Sequence, residues 1–154
     1  MIITHVIPII GGIAAVIAAV FAVMLYILAT KKTTVALTFG NATEKIECKV
    51  GVNTTLHFLL KNIGNVAAHN VEALIYYPKG LRPRTRHNTQ EVAYLMSPER
   101  VVLRVESLPP RSNPMARATS SIKPDKPNTY EFEYEITGEK VKKKKGKFLL
   151  EAKS

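Results

Sequence analysis

The acidic side chains of this chain are few, and their spacing does not form a recognisable catalytic site. Glu131, Glu133 and Glu135 recur at every second position, which places three carboxylates on one face of a strand. Such rows sometimes bind metal ions or transfer protons, but a solvated strand face is their far commoner role. The only aspartate, Asp125, lies in a proline-flanked turn, which excludes calcium sites that are rich in aspartate.

The histidines and the cysteine indicate no site of their own. His57, His69 and His87 share no spacing typical of metal ligands. Cys48, the single cysteine, lies within a predicted strand, where a small buried hydrophobic side chain is the usual role. No glycine-rich phosphate loop or nucleophile elbow is present. We therefore predict a protein that is not an enzyme, with no catalytic residue, metal ligand or cofactor.

Two basic clusters are the residues most suited to binding. The formal net charge is +10, and every Lys, Arg, Asp and Glu follows residue 30. Arginines alternate within LRPRTRH, and KVKKKKGK, from Lys140 to Lys147, is interpreted as a hairpin loop in which Gly146 helps the turn. The predicted contacts with an anionic surface are Arg82, Arg84, Arg86, Lys142, Lys143, Lys144 and Lys145.

Three roles are open for these clusters. Lysine-rich edges keep β-sheets from pairing with one another, which needs no ligand. Near a membrane, basic residues are attracted to anionic lipid by about 1 kcal/mol each. Nucleic acid is the least favoured partner, because no aromatic residue is interleaved with the lysines to stack on bases.

An uncharged apolar segment runs from Val6 to Thr30. As a helix it would be roughly 37 Å long, enough to cross a hydrocarbon core of about 30 Å. A cleaved signal peptide would need a basic start, a shorter apolar core and a small-x-small cleavage site, and this segment has none of them. We predict a retained transmembrane anchor over residues 1–32, followed by one domain over residues 33–154.

The flanking charges favour one orientation of this anchor. Lys31 and Lys32 follow the segment directly, so the positive-inside rule places the domain in the cytoplasm. The N-glycosylation sequons at Asn41 and Asn53 would matter only on the opposite side, and such sequons also arise by chance in β-rich sequence.

Small residues recur at every fourth position of the apolar segment. This spacing allows two membrane helices to approach closely, although Gly and Ala are also common in membrane helices in general. The residues predicted to support helix association are Gly11, Ala15 and Ala19 on one face, and Ala14, Ala18 and Ala22 on another.

Beyond Lys32 the pattern changes to the period of two that is typical of β-strands. The predicted strands are Thr34–Phe39, Lys45–Val50, Thr54–Leu60, Asn70–Tyr77, Glu91–Leu95, Val101–Leu108, Met115–Ile122, Tyr130–Thr137 and Phe148–Ala152. Gly, Pro and Asn fill the gaps between them. We predict a mainly β chain with an antiparallel, Ig-like β-sandwich.

One hairpin carries a family resemblance. Its first strand ends in LKN, a turn follows at Ile63-Gly64-Asn65, and the next strand closes on Pro78-Lys79-Gly80-Leu81. The hairpin resembles that of prokaryotic Ig-like modules of the CARDB (cell-adhesion-related) type. Ser107-Leu108-Pro109-Pro110 is similar to a second turn of these modules, with Arg111 where glycine is usual. We expect a positive φ at Gly64 and a side-chain bond from Asn62 or Asn65 to the local backbone.

The resemblance implies a non-enzymatic binding or spacer domain displayed outside the cytoplasm, which conflicts with the orientation favoured by charge. We predict a single-pass membrane protein whose Ig-like domain is an interaction or assembly module. It would bind a partner protein, or itself through the helix, with its basic loops near anionic lipid. Two alternatives are an extracytoplasmic adhesion or surface-assembly domain, and an accessory subunit of a membrane enzyme or transport complex.

Overall fold

The structure is a computed structural model of the 154-residue chain, and it describes residues 3–40, 44–81, 85–88, 93–96, 100–111 and 116–154. These residues form two compact units, Met1–Lys31 and Lys32–Ser154.

The first unit is a single helix, α1, which spans Ile3–Thr30. It begins three residues before the predicted span, and Pro8 lies in its second turn. The part Gly12–Thr30 has a mean hydropathy of 2.6, and its length and composition would allow it to cross a membrane. A signal sequence meets the same criterion, so α1 has the properties of either one.

The second unit consists of ten strands in two sheets. The strands are β1 (Val35–Phe39), β2 (Lys45–Lys49), β3 (Thr54–Asn62), β4 (Ala68–Tyr76), β5 (Thr85–Asn88), β6 (Ala93–Met96), β7 (Arg100–Leu108), β8 (Ala116–Ile122), β9 (Asn128–Glu139) and β10 (Lys144–Lys153). One sheet has the order β1-β3-β8-β5, and the other has the order β2-β10-β9-β4-β7-β6.

The core lies between the inner faces of the two sheets and follows from the alternation in the sequence. Every second residue of β3 and β9 is buried, so each strand turns one apolar side toward the other sheet. Phe39 packs at the centre, with its ring stacked on Phe148 at 3.8 Å and edge-on to Phe58 at 5.3 Å between ring centroids. These contacts join β1 and β3 of one sheet to β10 of the other.

The strand pattern departs from the prediction at three places. The predicted hairpin around Gly64 is wrong, because β3 and β4 belong to different sheets and the turn connects the two layers. β2 pairs with β10 in parallel, from Lys45 opposite Leu149 to Lys49 opposite Lys153, whereas the other strand pairs are antiparallel. The arginine-rich segment, predicted to be a loop, contains strand β5, which pairs with β8. Arg86 lies on this strand, whereas Arg82 and Arg84 lie outside the described residues.

The prediction of a lysine loop from Lys140 to Lys147 is wrong in its extent. β10 already begins at Lys144, so Lys144 and Lys145 are strand residues, opposite Ile136 and Glu135 of β9. The lysines fit a strand because a row of glutamates lies across from them. Gly146 also lies within β10 rather than in a turn, and a Cβ there would come within 2.3 Å of the Tyr134 ring.

The turn at Gly64 is stabilised by Asn62, whose buried side chain makes four hydrogen bonds. Its Oδ1 accepts bonds from Thr33 Oγ1 at 2.7 Å and from the Gly64 N–H at 3.0 Å. Its Nδ2 donates to the carbonyls of Val66 at 2.8 Å and Leu108 at 3.0 Å. The expected bond from Asn62 to local backbone is confirmed, and it also reaches two distant segments.

The role expected for Gly64 is wrong, since its φ is not among the positive ones. Glycine is required there because a Cβ would lie 1.9 Å from Thr33 Oγ1. Positive φ occurs instead at Gly80, with a value of 86°, and at Arg111, with a value of 50°. Arg111 thus adopts a left-handed conformation that glycine adopts more readily than other residues.

Candidate interaction surfaces

The outer face of the six-stranded sheet carries a ladder of ion pairs. Lys143 Nζ lies 2.6 Å from Glu135 Oε1, and Lys145 Nζ lies 3.4 Å from the other oxygen of the same carboxylate. Lys147 Nζ lies 2.7 Å from Glu131 and 3.8 Å from Glu133. The three predicted glutamates therefore neutralise much of the lysine cluster.

The ladder continues across β10 to the edge strand β2. Lys153 Nζ contacts Glu47 at 2.8 Å, and Glu151 pairs with Lys45. Further along the sheet, Arg104 of β7 bonds Glu72 of β4 at 2.6 Å. In the part of the chain that the structure describes, these ion pairs join six cations to six carboxylates, so the paired charges cancel one another.

These contacts shift the pKa values of the groups involved. A hydrogen bond from Lys143 holds the pKa of Glu135 below its usual value, and one from Lys45 does the same for Glu151. The hydrogen bond to Glu131 raises the pKa of Lys147. Each of these pKa shifts favours the charged form of its group.

A shallow pocket of about 410 Å³ opens on this face over the backbone of Gly146. Tyr76 and Lys147 line it, together with Glu133, Glu135 and Lys145. Because its lysines and glutamates already pair with one another, the pocket offers no strong unpaired charge to a ligand.

Three lysines of the cluster from Lys140 to Lys147 differ from the others in having no ion pair among the described contacts. Lys143 and Lys145 are engaged with Glu135, whereas the described contacts give no ion pair to Lys140, Lys142 or Lys144. Val141, in the middle of this segment, is buried and forms a parallel bridge with Thr33. Free positive charge is thus concentrated where β9 turns into β10.

The other residues considered in the sequence are not among the partners in these ion pairs. Gly11, Ala14, Ala15, Ala18, Ala19 and Ala22 all lie on α1. His57 and His69 lie on β3 and β4, which belong to different sheets, and Cys48 lies partly buried on β2. Among the described residues, no group of three or more His, Cys, Asp or Glu side chains is arranged to hold a metal ion.

Two features of the surface lay beyond sequence reasoning. The open edge formed by β2 depends on its pairing with β10, a strand about a hundred positions away along the chain. The bond from Arg111 Nε to Asn65 Oδ1, at 2.8 Å, joins two turns that only the fold brings together. The Asn-Ile-Gly-Asn motif marked one of these turns but gave no signal for its partner.

The sandwich is similar in fold to cohesin modules. A chain in the structure of the Coh-OlpA–Doc918 complex, a type I cohesin–dockerin complex from Clostridium thermocellum, matches with a TM-score of 0.55 and 11% identity, over 78% of this chain and 99% of that one. The third ScaC cohesin of Acetivibrio cellulolyticus, solved with the ScaB dockerin, gives 0.54 and 8%, over 80% and 99%.

A third structure agrees with these two. The seventh ScaB type I cohesin of Pseudobacteroides cellulosolvens matches with a TM-score of 0.53 and 11% identity, over 80% of this chain and 94% of that one. At such identities the likeness shows the fold alone. The predicted fold class is confirmed as a mainly β, cohesin-like sandwich, Ig-like at a coarse level, after one N-terminal apolar helix.

The sequence itself matches no family model and no curated protein.

Proposed function

We propose that this chain is a single-pass, membrane-anchored and non-catalytic module whose β-sandwich binds a partner protein. The observation that carries the proposal is the cohesin-like fold, matched over nearly the whole length of its neighbours. Two of those neighbours are cohesins in complex with dockerins, so the fold is one that binds protein partners. The extended, charged outer face of the six-stranded sheet offers a surface for such a contact.

The apolar helix supports the membrane part of the proposal. α1 carries no Lys, Arg, Asp or Glu along its 28 residues, and only Lys31 and Lys32 separate it from Thr33 of the sandwich. The segment also lacks a basic start and a small-x-small cleavage site, which favours its retention as an anchor. The two flanking lysines favour a cytoplasmic sandwich.

Within the segment from Lys140 to Lys147, we assign the contact with anionic lipid to the lysines that have no ion pair among the described contacts. Lys142 is exposed and Lys144 half-buried, and Glu135 holds Lys143 and Lys145 against the sheet face. Three residues after α1, Thr33 bonds to this same segment, through its N–H to the Lys140 carbonyl at 2.6 Å and its carbonyl to the Lys142 N–H at 2.9 Å. The lysines of this segment are thus the ones we assign to headgroups.

An extracytoplasmic adhesion or surface-assembly domain is the second candidate. It is favoured by the turn at Arg111, whose left-handed backbone matches the glycine position of the CARDB modules that the sequence resembles. In that case the lysines would protect the strands rather than meet anionic lipid.

A labelling experiment in sealed vesicles tests the anchor and separates the two candidates. Cys48→Ser removes the native thiol, and Ser154→Cys adds an exposed one at the last residue. For a cytoplasmic sandwich, an impermeant maleimide should label inside-out vesicles and spare right-side-out ones. Labelling of right-side-out vesicles alone would establish the adhesion-type candidate, and full extraction of the protein by alkaline carbonate would contradict the anchor.

Protein binding is tested by site-specific photocrosslinking in the native membrane. A photoreactive residue at exposed positions of the outer face, such as Tyr76, Arg104 or Glu133, should give discrete adducts of defined mass. Positions on a sheet face away from the contact serve as the control. Absence of adducts from every exposed position would contradict an interaction module.

A further inference from the structure

β2 is an edge strand of the six-stranded sheet, with no strand beyond it among the residues that the structure describes. It is the terminal strand in the sheet order, and Lys45, Glu47 and Lys49 are all exposed. Glu44 accepts a bond from the Leu149 N–H, and the Val50 N–H donates to Lys153, both at 2.9 Å. In a parallel strand pair, these two bonds imply that the N–H and C=O groups of the even-numbered β2 residues point toward β10.

The backbone N–H and C=O groups of Lys45, Glu47 and Lys49 therefore point away from the sheet, and the Lys49 C=O also accepts a long turn bond from the Val52 N–H at 3.4 Å. Such a row of outward donors and acceptors is a template for one more strand. Any strand that pairs here must also match the side chains, which differ on the two faces of β2.

On the outer face, Lys45 and Glu47 pair within the chain, but Lys49 has no ion pair among the described contacts. An added strand would thus place a carboxylate opposite Lys49. On the inner face, Ile46, Cys48 and Val50 are partly buried against the core. Apolar residues are required opposite them, because a charge there would lose water without gaining a partner.

A second copy of β2 satisfies both requirements in one antiparallel register. With Glu47 opposite Glu47, like charges face one another along the outer row. With Lys45 opposite Glu47, the outer charges match, but Glu44 lies opposite Cys48. With Glu47 opposite Lys49, the unpaired lysine gains a carboxylate, Ile46 lies opposite Val50, and Cys48 lies opposite Cys48.

We propose that β2 pairs with β2 of a second copy of this chain in that third register, which joins two six-stranded sheets about a two-fold axis. The interface is isologous, so each favourable contact occurs twice. The inference rests on the proposed function and names its partner. Anchoring in one membrane would raise the effective concentration of the copies, so a short edge suffices.

Disulfide trapping of the full-length protein in membranes tests the register. Opposite residues at a non-hydrogen-bonded antiparallel position have Cα atoms about 4.5 Å apart, within the range that a disulfide spans. Diamide takes the two hydrogen atoms of the paired thiols as the S–S bond forms. We expect a dimer through Cys48, formed at mildly alkaline pH because burial raises the pKa of its thiol.

The matched control moves the thiol by two positions. In Ile46→Cys with Cys48→Ser, the two new thiols lie four positions out of register, about 14 Å apart, and should not crosslink. A strong dimer from this variant and none from Cys48 would overturn the proposed register.

Charge reversal separates specific pairing from mere proximity. Lys49→Glu or Glu47→Lys alone places like charges opposite one another twice, and should lower the trapped fraction about tenfold. The double variant Glu47→Lys with Lys49→Glu restores opposite charges and should restore trapping. Thermal melts would confirm that each variant is folded, since Glu47 also pairs with Lys153.

Several results would overturn the inference. They are no dimer through Cys48, equal trapping in the single variants, or a failure of the double variant to recover. Photocrosslinked adducts to another protein that depend on Lys49 would assign the edge to that protein instead. If photocrosslinked adducts form but no dimer is trapped through Cys48, the proposed function is still supported, and only the pairing of β2 with β2 is contradicted.

Discussion

Asn62 is the residue on which several segments of the sandwich depend. Its carboxamide uses both the oxygen and the nitrogen twice, and all four partners lie close to the Gly64 turn. Because the side chain is fully buried, no water replaces a lost bond. Asn62→Ala should lower the free energy of unfolding by about 3 kcal/mol, since it leaves several polar groups unsatisfied. Chemical denaturation of the unit from residue 32 onward measures this loss.

Asn65 provides the matched control for this variant. It belongs to the same turn but is exposed, and its described side-chain bond is to Arg111. Asn65→Ala should cost less than about 1 kcal/mol, as for other exposed hydrogen bonds. Equal losses for the two variants would contradict the role assigned to Asn62.

Glu135 is the residue whose ionisation depends most directly on the lysine ladder. Its pKa is lowered in the folded state by the hydrogen bond from Lys143, so the carboxylate binds its proton less readily than in the unfolded chain. Its contribution to stability is therefore present above the unfolded pKa of about 4.3 and lost as the pH falls through the lower folded pKa.

Lys143→Gln should raise the pKa of Glu135 toward its ordinary value, as measured by NMR titration of the side-chain carboxyl. The stability difference between this variant and the natural protein should vanish in acid, below both pKa values. Lys142→Gln, which removes a neighbouring charge without an ion pair, should leave the Glu135 pKa nearly unchanged. A similar rise in both variants would indicate a diffuse field rather than the specific pair.

At the scale of elements, alternation predicted most strands, because one buried face imposes a period of two. β5 was missed since Thr85–Asn88 lies among arginines and prolines, where no apolar row marks a face. The start of β10 was missed for a related reason. A run of lysines usually indicates a loop. Here the lysines fit a strand because glutamates of β9 lie opposite, and the pairing of β10 with β9 is known only from the fold.

The lysines where β9 meets β10 carry a prediction of their own. The unit from residue 32 onward should bind anionic vesicles, and Lys142→Gln with Lys144→Gln should weaken binding about thirtyfold, at about 1 kcal/mol for each lysine near a surface. Sedimentation with vesicles at several salt concentrations measures this.

Lys143→Gln with Lys145→Gln removes the same formal charge and is the matched control. Glu135 holds these two side chains on the sheet face, so their loss should weaken binding less. No binding by the natural unit, even at low salt, would leave protection of the strands as the role of the lysines.

A further prediction at the scale of elements concerns the small residues of α1. Ala15→Ile with Ala19→Ile would hold two helices apart and lower self-association by about 1 kcal/mol or more. The control, Val16→Ile with Val20→Ile, adds bulk on the side of the helix opposite the small residues. Crosslinking of the full chain in membranes compares the two double variants. An unchanged crosslinking yield in the alanine variant would show that the small residues do not support helix association.

At the scale of the whole molecule, the division into an anchor over residues 1–32 and a domain over residues 33–154 stays a prediction. The span should be retained in the mature protein, because its cleavage chemistry is unfavourable. The intact mass of the purified natural protein measures this. A mass equal to that of a chain beginning near residue 30 would contradict the prediction. The long-range pairing of β2 with β10 remained unpredictable, since local patterns do not specify a distant partner.

That pairing also sets the order of events as the chain is made. Glu47 meets Lys153 across 106 positions, and Thr33 meets Val141. At about 5 to 20 residues per second, synthesis of the strands takes many seconds after α1 has emerged. Neither contact can form until the chain has been made about a hundred residues beyond its first partner. The apolar helix is therefore made well before the sandwich can close, and β2 remains without its partner β10 while the intervening residues are synthesised.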